Sequence, residues 1–113
     1  MPIQRWSEKI LVAELQEDPV LTDDFNGIIE QVNEQDDLDL VLDFGHISYV
    51  NSSNIAKLLK LRRVITLNNR RRMILCGINS HVWGVFLITG LDKLFEFADN
   101  VSLGLATIQI KPD

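Results

Sequence analysis

The residues best suited to chemistry stand together in "YVNSSNIAKLLKL" (49 to 61), where two hydroxyls lie between two amides as a strand-like run gives way to a helical one. Asn51, Ser52 and Ser53 are all good helix N-cap residues, because a side-chain oxygen can accept from the free N–H groups of a first turn. Only one of them can be the cap. At least one hydroxyl is therefore surplus to the structural need, yet Ser-Ser pairs are common at helix starts, and on the residues alone the doublet reads either as a cap and nothing more or as a hydroxyl presented to something else. No G-x-S-x-G surrounds Ser52 or Ser53, and no base stands in a recognisable motif with them, so a hydrolase-type nucleophile is not supported.

The other candidates for chemistry are weaker. His46 and His81 are far apart, with no Cys or carboxylate at metal-ligand spacing beside them, so no zinc site is expected. No glycine-rich phosphate loop is present, which removes the common nucleotide-binding motifs. Neither a catalytic group nor a cofactor is expected. The single Cys76 sits inside "MILCGI" and reads as an inert core thiol. Arg70-Arg71-Arg72 could meet an anion, a phospholipid head group or nucleic acid. At a strand entry, however, adjacent side chains point in different directions, and the run reads as a solvated turn. Trp83 and Phe86, three apart, read as core.

The elements that must position the serine pair follow from periodicity. "KILVAEL" (9 to 15) is a strand ending at the turn-like "QEDP", with a short strand before it near Trp6. Thr22 is expected to cap a helix whose stripe is Phe25, Ile28, Ile29 and Val32, with Asp23 and Asp24 in its first turn. "DLDLVLDF" (37 to 44) sets Leu38, Leu40, Leu42 and Phe44 on one face of a buried strand, with Val41 on the other. A second helix begins at 51 to 53 and ends near Asn68-Asn69, its stripe formed by Ile55, Leu58, Leu59 and Ile65. "RMILCGI" (72 to 78) is a strand, and Asn79-Ser80 caps a helix carrying Val82, Trp83, Phe86 and Leu87 that Thr89-Gly90 stops. "LFEF" (94 to 97) is a last short strand. Asn100 caps a final helix through Val101, Leu105 and Ile108, although Val101, Leu103 and Leu105 also alternate as a strand would. Leu40, Leu42, Ile55, Leu58, Leu59, Ile74 and Phe86 are expected to share one core.

Strands alternating with helices favour an α/β fold: a mixed, partly parallel sheet of four to five strands covered by about four helices. The 113 residues, 46% hydrophobic, fit one domain over 1 to 113. A net charge of −5 disfavours nucleic acid as a partner, since that binding is dominated by phosphate neutralisation. No apolar run is long enough to insert in a membrane and the N-terminus lacks a signal-peptide pattern, so the cytoplasm is expected.

The strand "DLVLDFGHISYV", the following "NSSNIAKLLKLRRVI", and the block "TGLDKLFEFADN" (89 to 100) resemble the STAS family, whose members include bacterial anti-sigma factor antagonists. Roughly residues 37 to 108 follow the family order; the N-terminal third has "QEDPVLTDD" where a G-E-L-D stretch is usual. In the antagonist branch the first serine of a D-S-S-G loop is phosphorylated by the anti-sigma factor, itself a serine kinase. The resemblance thus implies phosphorylation at Ser52, and a loop Asn51, Ser52, Ser53, Asn54 that binds an anti-sigma factor or related serine kinase. It also leaves room for an unphosphorylated adaptor or scaffold subunit, transporter-associated or stressosome-like. Asn51 stands where the family has Asp, and Asn54 replaces the Gly. These departures fit either a divergent functional site or a fold that has lost the modification.

Overall fold

A computed structural model describes residues 3–67 and 71–110. Its strands are β1 (Ile3–Ser7), β2 (Ile10–Glu14), β3 (Asp39–Asp43), β4 (Met73–Cys76) and β5 (Glu96–Ala98). Its helices are α1 (Val20–Glu34), α2 (Ser52–Thr66), α3 (Ser80–Thr89) and α4 (Val101–Gln109), with a 3-10 turn at Leu91–Lys93. The strands lie side by side in chain order, β1 antiparallel to β2 and all later pairs parallel. The mixed sheet and the four helices agree with the alternation read from the sequence.

The sheet is buried on two unequal faces. Leu11, Ala13, Leu40, Leu42 and Leu75 point to the larger core, which α1 closes with Phe25, Ile28 and Val32, α2 with Leu58, Leu61 and Ile65, and α3 with Val82 and Phe86. The other strand residues, Ile10, Val41, Ile74 and Cys76, meet Ile108 of α4. This corrects the placement of Ile74 in the shared core: period-two alternation sends it to the opposite face from Leu75. Ile55 and Leu59 only flank the larger core. Leu61, outside the expected stripe, is fully buried in their stead.

Three local expectations change. The first helix starts at Val20 rather than at a Thr22 cap, with Pro19 preceding it and no side-chain cap, so the Thr22 hydroxyl falls inside the first turn and donates to Asp18 Oδ1 at 3.3 Å. The last strand is Glu96–Ala98, because the 3-10 turn carries the chain through Leu94 before it becomes extended. Trp83 is not core: Val82 and Phe86 are the positions of α3 that face inward, and Trp83, one residue round the helix, lies 37% exposed, edge-on to Phe97. The ambiguous segment after Asn100 is helical, and Gly90 ends α3 in the left-handed conformation that glycine favours. The helix stop expected at Asn68-Asn69, like Arg70, lies outside the described residues; α2 is helical to Thr66.

Candidate functional site

The serine loop stands where β3 hands over to α2, at the carboxyl end of a parallel strand. Such ends of α/β sheets are where ligands and reacting groups gather, since helix N-termini open there. Asn51 is the cap of α2. Its Oδ1 accepts from the backbone N–H of Asn54 at 2.8 Å, and the Asn54 Oδ1 accepts in return from the backbone N–H of Asn51 at 3.0 Å. This reciprocal pair is a capping box built from two amides in place of the usual hydroxyl and carboxamide or carboxylate.

The cap therefore uses neither serine. Ser52 and Ser53 are both exposed, and neither hydroxyl takes part in a hydrogen bond among the described residues. Asn54, by contrast, is buried at 4% relative exposure. Its remaining polar group, Nδ2, donates to Asp18 Oδ2 at 3.1 Å, and Asn51 Nδ2 donates to the same oxygen at 3.3 Å. One carboxylate oxygen thus holds both amides that flank the serine pair. Hydrogen bonds to a charged acceptor are roughly twice as strong as neutral ones.

Further contacts tie the neighbouring loops together. Glu17 Oε1 accepts from the Ser48 N–H at 2.7 Å, and Asn79, while capping α3 through Oδ1, donates from Nδ2 to the carbonyls of Ile47 and Ser48. Asp24, buried under the same end, accepts from the Gln16 N–H at 3.3 Å; burial pushes its carboxyl above the ordinary range. Residues 16–18, 47–54 and 79 form one braced platform around two free hydroxyls. Asn79 is the helix cap expected from the sequence, but the contacts of Glu17 and Asp18 are not legible there: "QEDP" reads as a turn, and nothing in local pattern says which of its side chains crosses to another loop.

The remaining candidates are absorbed by structure or stand apart. Arg72 forms a two-pronged pair with Glu96 (Nη2 to Oε1 2.6 Å, Nε to Oε2 3.2 Å), and its Nη1 donates to the Thr107 and Ile110 carbonyls at the end of α4. His46 pairs with Glu14 on the surface, and His81 is exposed. Among the described residues no group of three or more His, Cys, Asp or Glu is placed to hold a metal ion, and no described helix is long and apolar enough to cross a membrane. Cys76 is fully buried, and its thiol is pushed up to about 11, by burial first and by Asp43 second.

The STAS domain model matches residues 4–104, and the chain belongs to the STAS family. Among solved structures, an anti-sigma-factor antagonist (STAS) domain protein from Planctomyces limnophilus superposes with a TM-score of 0.82 at 15% identity, over 96% of this chain and 98% of that one. A chain of the stressosome superposes at 0.76 with 21% identity, over 96% of each chain. The phosphorylated form of the Bacillus cell fate determinant SpoIIAA superposes at 0.69 with 18% identity, over 93% of this chain and 96% of that one. At these identities the likeness is one of fold. No curated protein matches the chain.

Proposed function

We propose that the chain is a non-enzymatic cytoplasmic regulator of the anti-sigma factor antagonist type, acting in transcriptional signalling by switching partners. It docks onto an anti-sigma factor or related serine kinase through the loop's exposed residues Asn51, Ser52 and Ser53 and the exposed side of α2, while Asn54, expected in the contact, is buried and braces the loop from beneath. Phosphorylation of Ser52 releases it. The observation that carries this reading is that the cap is made by Asn51 and Asn54 alone, which leaves the Ser52 hydroxyl exposed and unbonded among the described residues.

The chemistry is simple. The kinase takes the proton from Ser52 Oγ, the oxygen bonds to the γ-phosphorus of ATP, and ADP leaves. The new group carries roughly −1.5 to −2 charges at a helix N-terminus, where free N–H groups and the helix dipole favour an anion, so the fold is kept. A partner seated over the loop would have to desolvate that charge, and it is expelled by this cost and by like-charge repulsion. Support for the reading comes from the family match and from the existence of a phosphorylated structure of similar fold in SpoIIAA.

Calorimetry of purified Ser52→Ala and Ser52→Asp with a partner recovered from the host tests it. Both variants should fold, and Ser52→Ala should bind while Ser52→Asp binds at least tenfold more weakly. Equal affinities would end the switch reading. One observation then favours a second reading, an unphosphorylated adaptor or scaffold subunit: α3 leaves Trp83, Leu87 and Ile88 exposed at 37%, 51% and 88%, an apolar row suited to a permanent contact.

A further inference from the structure

The two departures from the D-S-S-G pattern have a common structural answer outside the loop. An asparagine can present either its oxygen or its amino group, and a helix cap requires the oxygen. A carboxylate only accepts. Placed against Nδ2 of both Asn51 and Asn54, Asp18 Oδ2 fixes both amides with their oxygens turned to the backbone N–H groups of the cap, at 2.8 and 3.0 Å. The same bonds set a carboxylate beside the residue that precedes Ser52, where the family pattern carries one in the loop itself. Asp18 comes from the segment between β2 and α1, on the far side of the whole α1–β3 unit in sequence.

We propose that Asp18 is the positioning and specificity-determining carboxylate of the serine loop, supplied across the fold to two amides instead of from within the loop. It sets the cap that frees Ser52, and it supplies the negative charge a modifying kinase meets beside the hydroxyl. The second half of this statement rests on the switch reading; the first half does not. A carboxylate at position 51 is then incompatible with Asp18, because Asn51→Asp exchanges an N–H···O contact of 3.3 Å for two carboxylate oxygens at that separation. An amide at position 18 removes the like charge, but both contacts run to the one atom Oδ2, so an amino group placed there donates to the new carboxylate at position 51 only by giving up the bond from Asn54.

The test is a charge-relocation cycle on the full chain: Asp18→Asn, Asn51→Asp and the double variant, each measured for thermal midpoint and for Ser52 labelling by host lysate with radiolabelled ATP, read by mass spectrometry. Asn51→Asp alone should lower the midpoint by an amount on the order of 4–8 °C, the shift typical of about 1 kcal/mol in a domain of this size. The double variant should regain the part of that loss due to like charge, though not the part due to the Asn54 bond, and more salt should shrink the penalty of the single variant. Additive midpoints in the double variant would overturn the proposal. Where wild type is labelled, Asp18→Asn should be labelled several-fold more slowly and the double variant should recover; a wild-type rate in Asp18→Asn would refute the specificity role, which a purely structural clamp would not produce. If wild type takes no label at Ser52, the switch reading fails, the specificity role fails with it, and the midpoint cycle alone decides whether Asp18 is the positioning residue.

Discussion

Ser52-Ser53 and Arg71-Arg72 are pairs of like residues at opposite ends of the same parallel strands, one following β3 and the other preceding β4. At the serine end the structural duties fall on neighbours: Asn51 and Asn54 make the cap, Asp18 holds them, and both hydroxyls face solvent without a bond to the described residues. At the arginine end one of the two side chains, Arg72, is itself consumed, whereas Nε and Nη1 of Arg71 are buried without a hydrogen-bond partner among the described residues. Arg72 pairs with Glu96 and satisfies two carbonyls at the C-terminus of α4, where a cation also complements the helix dipole. A polar group that the fold has used is poorly placed to meet a partner. By this measure the serine pair is a candidate contact and Arg72 a fastener.

The largest effect that could break this comparison is on the platform itself. Leu58 is 2% exposed in the core beneath α2, and Leu58→Ala should cost roughly 2–5 kcal/mol as a large-to-small core change. A urea midpoint unchanged by it would mean that α2, and the loop it anchors, are wrongly placed. Next comes the fastener: Arg72→Gln gives up the Glu96 pair and the two carbonyl bonds at 2.9 Å, and should cost about 1–3 kcal/mol in chemical denaturation. A loss within error would make Arg72 as dispensable as a surface charge and erase the contrast. The smallest effect is expected at the serines, where Ser52→Ala and Ser53→Ala should each stay within about 0.5 kcal/mol of wild type, as surface changes away from any bonded group do. A loss of about 1 kcal/mol at Ser52 would show that its hydroxyl shares the capping duty.

How far the sequence could be read differs between the two ends for a physical reason. Element types follow from patterns a few residues long, so α2, α3 and the alternating strands were legible, and so was the doublet at a helix start. That the cap is Asn51, with Asn54 answering it, was within reach as one of three capping choices. Which face each strand residue joins was legible for Leu40 and Leu42 but misassigned for Ile74, because a strand buried on both sides shows no polar phase to read. Trp83 was misplaced by its size: an aromatic at helical spacing says nothing of which side of the stripe it falls on. The contacts from Asp18 to Asn51 and Asn54, and from Arg72 to Glu96 and α4, join segments tens of residues apart, and only the assembled fold brings them together.

The central claim is that the fold spares Ser52 for modification, and mass spectrometry of the protein isolated from its native host tests it most directly. Phosphate is expected on Ser52 in a fraction of the molecules, with that fraction absent from whatever partner complex co-purifies. Protein unmodified at Ser52 across growth and stress conditions, or phosphorylated Ser52 retained inside the complex, would contradict it.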